Sequence, residues 1–368
     1  MQKMKATISD KNLYYVGGVV RDELLGVESH DIDLCYEGNA IEFAKEKGFD
    51  IIRENPAFGT IRINYQGEEI DLASTRSEFY PQKGHLPVVL DIGVGLEKDL
   101  YRRDFTMNAL AKNTKTGEVV DFFGGVQDIK EKKIKILHDR SFYDDPTRIV
   151  RAFKFSIRFG FVLDDYTLKC QDEYLSNINY DMSYHRLKKE LKETFSLRVP
   201  CLYEKFVKQG LYMLLSKFQK ITEPMLEVND LICEYNPNFP WLVYLGTYDL
   251  SNFELTKSEV GIINGFKKLK ASNFNTDYDI YKTFQSVPLE SVLIYTAFCD
   301  KLVGFKYLRH LSKIKLNING DDLLHLGIPT GSLYNEIFEN ILKSKINGDF
   351  DSRQSELDFV KRNYLNLN

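Results

Sequence analysis

The stretch from Gly17 to Asp33 constrains the fold more than any other part of the chain. A short apolar run, Leu13 to Val16, leads into a Gly-Gly pair, an amphipathic segment that carries Arg21 follows, and Asp31-Ile32-Asp33 then opens a second apolar run. Because residues i and i+2 of a strand point to the same face, Asp31 and Asp33 present two carboxylates together. The order predicts a strand–turn–helix–strand unit with both acids on the second strand.

These residue types suit a bound phosphate and a metal ion. Carboxylate oxygens are the ligands that Mg²⁺ prefers, usually together with substrate phosphates. Glycine lets the backbone approach a phosphate, and the N-terminus of a helix favours negative charge. Asp-x-Asp alone is common in turns and helix caps, so the prediction depends on the order and spacing. The unit has the layout of a metal-dependent nucleotidyltransferase head and predicts a nucleoside triphosphate bound through a metal.

The remaining sequence changes character near residue 140. Residues 1–137 alternate short β-rich runs with helices, whereas helical periodicity dominates beyond about 140. The predicted fold class is an α+β head, with a mixed β-sheet and flanking helices, followed by an all-α remainder. The net charge of −4 rules out a generally basic surface. Residues 301–315 hold five Lys/Arg and no acid, which predicts either a local basic surface or a solvated helix face.

Composition also bears on the compartment. No apolar run approaches the roughly 18 residues of a membrane span, and the first ten residues lack an apolar signal core. The five cysteines are scattered without Cys-x-x-Cys spacing, which argues against a disulfide framework or a zinc site. We therefore expect a cytoplasmic protein with no membrane partner.

A second polar cluster occupies residues 100–110, where Arg102, Arg103, Asp104 and Asn108 are predicted near the start of an amphipathic helix. Arginine forks match phosphate oxygens, and Asp and Asn side chains bind ribose hydroxyls. The alternative is an Arg–Asp pair that caps a helix.

A third cluster begins at Asp144-Asp145-Pro146, a typical helix start. Asp145, Arg148, Arg151 and Lys154 recur every third position and share one helical face. A carboxylate accepts from the exocyclic amino group of cytosine or adenine, which uracil and guanine replace with a carbonyl. Asp145 and Arg148 are therefore candidates for selecting C and A, the alternative for Asp145 being a plain helix cap.

Taken in order, these three motifs resemble the class II tRNA nucleotidyltransferases, a family of CCA-adding, CC-adding and A-adding enzymes and bacterial poly(A) polymerases. Three further segments agree with the resemblance: residues 76–88 resemble the flexible loop of the family, residues 120–129 its hinge, and residues 319–331 a tail segment. The resemblance implies a catalytic head over 1–137 and a helical neck with the base template over 138–200. It also implies a helical body over 201–305 and a tRNA-binding tail over 306–368.

The resemblance also implies roles for single residues. Asp31 and Asp33 would be catalytic and bind two Mg²⁺ ions. The implied nucleotide-binding residues are Gly18 and Arg21 at the triphosphate, Arg103 at the nucleotide or its phosphates, Asp104 and Asn108 near the ribose, Asp145 and Arg148 as base template, and Arg151 and Lys154 beside them. Asp71 is either a third carboxylate or an acid facing solvent.

Two positions depart from the family pattern. Lys154 stands where arginine is frequent, which keeps the charge but loses the fork. In the helix motif over 183–190, His185 replaces a glutamate, for which we predict no catalytic role. Arg186 and Glu190 are four residues apart and are predicted to pair.

The implied activity is template-independent addition of C and A nucleotides to the 3′ end of tRNA from CTP and ATP, with no protein partner implied. Addition of A alone, addition of CC alone, and poly(A) synthesis are alternatives within the family. The retained 76–88 loop argues against a CC-only enzyme, and the modest length without a long basic extension argues against a poly(A) polymerase. The alternative from another class is a non-catalytic tRNA-binding protein, against which the intact Asp31, Asp33 and Arg103 speak.

Overall fold

The computed structural model describes residues 8–28, 33–350 and 352–365. It divides into two compact units. The first falls within residues 1–199 and 204–219, and the second within 200–203 and 220–368. Asp31, a predicted catalytic residue, lies outside the described residues.

All strands of the described residues lie in the first unit. They are β1 (Leu13–Val16), β2 (Asp33–Tyr36), β3 (Asp50–Asn55), β4 (Thr60–Tyr65), β5 (Glu68–Ser74), β6 (Arg76–Phe79), β7 (Val88–Ile92), β8 (Ala111–Asn113), β9 (Val119–Val120), β10 (Lys133–Ile134) and β11 (Val162–Leu163).

Seven of these strands form one mixed sheet in the order β3-β4-β5-β2-β1-β8-β9. β2 and β5 run parallel, and every other pair in this sheet is antiparallel. Two smaller sheets pair β6 with β7 and β10 with β11. The mixed sheet with flanking helices, followed by helices alone, confirms the predicted fold class.

The helices of the first unit are α1 (Gly18–Leu25), α2 (Ala40–Glu46), α3 (Leu96–Tyr101), α4 (Gly125–Lys130), α5 (Ser141–Asp144), α6 (Thr147–Phe159), α7 (Asp165–Ser176) and α8 (Tyr184–Phe195). The next helix, α9 (Leu202–Lys208), includes residues of both units. The helices of the second unit are α10 (Val228–Tyr235), α11 (Pro240–Leu245), α12 (Lys257–Ala271), α13 (Asp277–Gln285), α14 (Leu289–Phe298), α15 (Lys301–Arg309), α16 (Gly320–His325), α17 (Leu333–Ile346) and α18 (Arg353–Val360).

Alternation along the strands separates the core from an open polar face. In β4, Ile61 and Ile63 are buried while Arg62 between them is exposed. In β5, Ile70 and Leu72 are buried while Asp71 is exposed. Because successive side chains of a strand point to opposite faces, the apolar set fills the core and the charged set faces away from it.

One local prediction is wrong. The cluster over 102–108 does not begin an amphipathic helix: α3 ends at Tyr101, and a single 3₁₀ turn over Thr106–Asn108 leads towards β8. Asp104 and Asn108 are consequently fixed by side-chain contacts rather than by a helical face.

The second unit is held by its own core. Ile318, Leu323, Ile337, Ile341 and Val360 are among the buried residues of one cluster. Among the described residues, no helix combines the length and apolarity that crossing a membrane requires.

Candidate active site

A cavity of about 530 Å³ lies in the first unit and brings together residues of both charge signs. Its charged residues are Asp33, Glu54 and Asp71 together with Arg53, Arg62, Arg76, Arg102 and Arg103. Asp33 and Arg103, two of the residues predicted from the sequence, are therefore part of one cavity wall.

Two carboxylates meet in this wall. Asp33 on β2 and Asp71 on β5 are direct partners in the parallel register, and both are exposed. Arg62 donates to both oxygens of Asp71, at 2.7 and 2.6 Å, and these hydrogen bonds lower the pKa of Asp71. The structure thus places Asp71 beside Asp33. Adjacent exposed carboxylates on fixed strands offer the hard oxygen donors that a divalent cation requires.

Three arginines of this cavity, Arg76, Arg102 and Arg103, are held by a buried acid that the sequence did not single out. Asp99 is fully buried on α3 and accepts from Arg102 at 2.8 and 3.0 Å, from Arg103 at 3.2 Å, and from the backbone N–H of Arg76 at 3.0 Å. Burial alone raises the pKa of Asp99, but Arg103 and Arg102 outweigh it and leave that pKa lowered. Asp99 therefore remains an anion that fixes both guanidinium groups.

Gly17 leaves room for one of these groups. Its φ is +69°, and a Cβ at this position would lie 2.9 Å from Nη1 of Arg103. A side chain would be strained and would displace Arg103, so the first glycine of the pair serves both the turn and the cavity.

Arg21 lies in a buried cage. It donates to Asp22 at 2.7 and 2.8 Å and to Oδ1 of Asn108 at 2.5 Å. Its guanidinium also stacks on Phe155 and Phe159, 5.1 and 4.8 Å from the ring centroids. These contacts orient Arg21 towards Asn108, and only 5% of the residue is exposed.

The network continues from Asn108 through Asp104. Asn108 donates to Oδ1 of Asp104 at 3.0 Å, and Arg151 donates to Oδ2 at 2.8 Å. Burial alone raises the pKa of Asp104, but the Arg151 charge and the Asn108 hydrogen bond leave it lowered. Asp104 is therefore held as a carboxylate between the predicted head and neck.

Glu190 extends this network along α8. It accepts from Arg151 at 3.2 Å and from Lys154 at 2.6 Å, and Lys154 also reaches Glu193 at 2.6 Å. The predicted pairing of Arg186 with Glu190 is wrong, because Glu190 binds these two cations and Arg186 binds another acid.

That acid is Asp145. One of its oxygens accepts from Arg186, and the other accepts from the backbone and hydroxyl of Thr147 at 3.1 and 2.6 Å. Asp145 therefore caps the start of α6 and also forms an ion pair. Arg148, only 4% exposed, donates to Ser141 at 2.7 Å and to the backbone oxygen of Arg102 at 2.9 Å.

The first unit matches the family model described as the poly A polymerase head domain over residues 13–135. The A-adding tRNA nucleotidyltransferase of Geobacter sulfurreducens is 31% identical over 95% of this chain, which spans only 45% of that relative. A solved CCA-adding enzyme with CTP is 26% identical with a TM-score of 0.73, covering 97% of this chain and 91% of the other. The Thermotoga maritima CCA-adding enzyme in complex with tRNA is 27% identical with a TM-score of 0.71, covering 95% and 90%.

Residues 13–135 belong to the poly A polymerase head domain family, and nearly the whole chain is similar to A-adding and CCA-adding tRNA nucleotidyltransferases. This confirms the resemblance drawn from its motifs. Similarity to nucleotidyltransferases supports dependence on a divalent metal, which agrees with the adjacent carboxylates of Asp33 and Asp71.

The predicted catalytic and nucleotide-binding residues fall into separate groups. Asp33 and Arg103 line the cavity, and Gly18 begins α1 directly after the Gly17 turn. The network unites Arg21, Asn108, Asp104, Arg151 and Lys154. His185 is exposed. Sequence reasoning missed Asp99, Arg53, Arg62 and Arg76 as cavity or positioning residues. The only sequence signal for Asp99 was its position three and four residues before Arg102 and Arg103.

Proposed function

We propose that the protein adds C and A nucleotides to the 3′ end of tRNA without a nucleic acid template, using CTP and ATP and releasing pyrophosphate. The observation that carries this is the pairing of Asp33 with Asp71 beside fixed arginines, in a chain similar over nearly its whole length to CCA-adding enzymes. The proposed compartment is the cytoplasm, where tRNA processing would supply the substrate.

The proposed cofactor is Mg²⁺, with two ions. Asp33 and Asp31 would hold them, and Asp71 supplies a further carboxylate next to Asp33. When bound, these ions lower the pKa of the attacking 3′-hydroxyl and offset the charge of the pyrophosphate.

The residues of the chain bind and orient the nucleotide. Arg103, fixed by Asp99, donates to the triphosphate, and the N-terminus of α1 at Gly18 adds backbone donors. The resemblance implies that Arg21 contacts the triphosphate, but its guanidinium is enclosed by Asp22 and Asn108. We therefore propose instead that Arg21 orients Asn108, which with Asp104 faces the ribose. Most of the catalysis by these residues is positioning and stabilisation of charge.

Base selection is assigned to Asp145 and Arg148. Asp145 is fixed by Arg186 and Thr147, so it presents an acceptor in one orientation. Uracil or guanine would face this acceptor with a carbonyl, and an unpaired buried acceptor costs roughly 1–3 kcal/mol. Arg151 and Lys154 support the same face through Glu190.

The proposed division of labour follows the family: head over 1–137, neck over 138–200, body over 201–305 and tail over 306–368, the tail binding tRNA. The 301–315 stretch contributes less free charge than its sequence suggests. Lys306 binds Asp277 at 2.5 Å, and Arg309 lies 3.5 Å from Glu234 and over the ring of Phe305.

One incubation series tests the proposal. tRNA lacking its 3′ end, tRNA ending in C, and tRNA ending in CC are each incubated with labelled CTP or ATP. We expect C addition to the first two and A addition to the third. Asp33→Ala should abolish all incorporation with the circular dichroism spectrum unchanged, whereas Asp50→Ala, on the exposed edge strand, should not. Near-normal incorporation by Asp33→Ala would contradict the assignment.

Addition of A alone is the second candidate, since the Geobacter relative is named an A-adding enzyme. In that case only tRNA ending in CC is extended, and only with ATP. A CC-only enzyme would use CTP alone, a poly(A) polymerase would add many A residues, and a non-catalytic protein would extend none of the three substrates.

A further inference from the structure

Four charged residues form a row across four neighbouring strands of the large sheet. Arg53 on β3 lies opposite Arg62 on β4, Arg62 lies opposite Asp71 on β5, and Asp71 lies opposite Asp33 on β2. All four line the same cavity. With strands about 4.8 Å apart, the row spans about 14 Å and changes from basic to acidic at its middle. We call these four residues the charge row.

A β-bulge brings Arg53 into the charge row. The register between β3 and β4 shifts between Ile51 and Arg53, so that Ile51 lies opposite Ile63 and Arg53 opposite Arg62. The extra residue, Ile52, has no partner in the register and is 48% exposed. Bulges often re-aim a side chain beside a functional site, and this one sets two arginines side by side.

The basic half of the charge row is Arg53 and Arg62, and their mutual repulsion destabilises the sheet unless an anion lies between them. Like charges directly opposite each other on antiparallel strands are destabilising. Arg62 is offset by Asp71, but Arg53 has no ion pair among the residues that the structure describes. The nearby Glu54 is bound by Lys45 at 2.9 Å. An anion between Arg53 and Arg62 would relieve this repulsion, and arginine pairs suit phosphate oxygens.

The order of the strands indicates which phosphate would lie between Arg53 and Arg62. β1, which leads through Gly17 to α1, is on one side of β2, and β5, β4 and β3 are on the other. In phosphoryl transfer, the attacking and leaving oxygens lie in line on opposite sides of the phosphorus. If the pyrophosphate leaves towards α1 and Arg103, the acceptor strand approaches from the side of β4 and β3.

We propose that the charge row is a divided site, whose acidic half binds a divalent cation and whose basic half binds a backbone phosphate near the 3′ end of the acceptor RNA. Arg62 exchanges between the two halves: when the cation takes Asp71, Arg62 turns to the phosphate beside Arg53. This inference rests on the proposed function for the identity of the acceptor, and on the geometry alone for the exchange.

The exchange is tested by measuring the affinity of the protein for Mn²⁺ in the absence of RNA and nucleotide. Electron paramagnetic resonance detects the free ion. Arg62→Gln removes the cation that competes for Asp71, so Mn²⁺ should bind about two- to fivefold more tightly. In an Asp71→Asn background, Arg62→Gln should give no gain. Lys98→Gln removes an exposed charge outside the cavity and serves as the control. Unchanged or weaker Mn²⁺ binding by Arg62→Gln overturns the exchange.

The phosphate site is tested with a fluorescent acceptor-stem RNA whose last linkages are replaced one at a time by neutral methylphosphonates. Arg53→Gln should weaken binding of the unmodified RNA about tenfold and lower the salt dependence by about one phosphate contact. For wild type, one neutral linkage near the 3′ end should have the same effect, and Arg53→Gln should lose nothing more with that RNA.

The two proposals fail in different ways. If Arg53→Gln weakens RNA binding by the same factor whichever linkage is neutral, Arg53 contacts none of these phosphates. That result overturns the phosphate site, even if wild type extends tRNA normally. Absence of any incorporation by wild type overturns the proposed function, while the Mn²⁺ comparison still decides the exchange between Arg62 and Asp71.

Discussion

Replacing Asp99 with asparagine tests how the cavity arginines are held. The side chain is fully buried and accepts from Arg102, from Arg103 and from the backbone of Arg76. Removing one partner of a buried ion pair costs about 3–5 kcal/mol. Arg102 keeps a second acceptor, Glu78, at 2.9 Å, so we expect the lower end, about 3 kcal/mol of unfolding free energy at pH 7.

The pH dependence of this loss has a definite sign. The pKa of Asp99 is lowered in the folded protein, so its contribution is fully present above the unfolded pKa of about 3.9 and is lost as pH falls through the folded value. Asparagine does not titrate. The difference between wild type and Asp99→Asn should therefore shrink by about 1.4 kcal/mol per pH unit below pH 4.

Urea unfolding at several pH values measures this difference, and ATP binding measures the effect on Arg103. Asp91→Asn is the control, since Asp91 is 63% exposed and lies 3.9 Å from Lys98, a pair worth under about 1 kcal/mol. A loss below about 1 kcal/mol for Asp99→Asn at pH 7, or a loss that stays constant down to pH 3, would refute the role of Asp99 as a buried anion.

Three further outcomes are expected. Asp145→Ala should relax selection of C and A over U and G by about one to two decades, measured as incorporation of labelled UTP and GTP, and unchanged selection would reduce Asp145 to a helix cap. Gly17→Ala and Gly26→Ala impose the same φ of +69° on alanine, at about 1–2 kcal/mol each, but only at Gly17 does a Cβ meet Arg103. Only Gly17→Ala should therefore weaken ATP binding; equal binding by both variants would contradict the contact. Glu356→Gln should destabilise the second unit by about 2 kcal/mol in urea, because the buried Glu356 binds Lys345 and the backbone of Asn317 and Ile318. The exposed Glu339→Gln should not, and equal stability of the two would argue against this anchor.

The sequence was sufficient where neighbours along the chain decide the structure. The strand, glycine turn and helix from Leu13 to Leu25 lie as predicted, and α6 begins after Asp145-Pro146. These features depend on glycine conformation, helix capping and alternation, which act over a few residues.

The sequence was insufficient where partners come from distant positions. Asp145 binds Arg186, 41 residues away, and Glu190 binds Arg151, 39 residues away. The charge row depends on strand register and on a one-residue bulge, and the spacing of residues along the sequence predicts neither. Contacts of this kind are set by packing of the whole unit, so a local pattern suggests the residue type but not its partner.

The network of ion pairs and hydrogen bonds from Arg21 to Glu193 bears on whether the predicted head could fold without the residues that follow it. The family match ends at residue 135, and the predicted head ends at 137, yet Asp104 is paired with Arg151 beyond that limit. A fragment that ended there would leave the buried carboxylate of Asp104 without the guanidinium of Arg151. It would also lack Phe155 and Phe159, whose rings cover Arg21. Transplanting this sheet onto another protein would therefore require α6 and α8 to be transferred as well. The segment that the family model matches is therefore shorter than the segment that keeps the contacts of Asp104 and Arg21 intact.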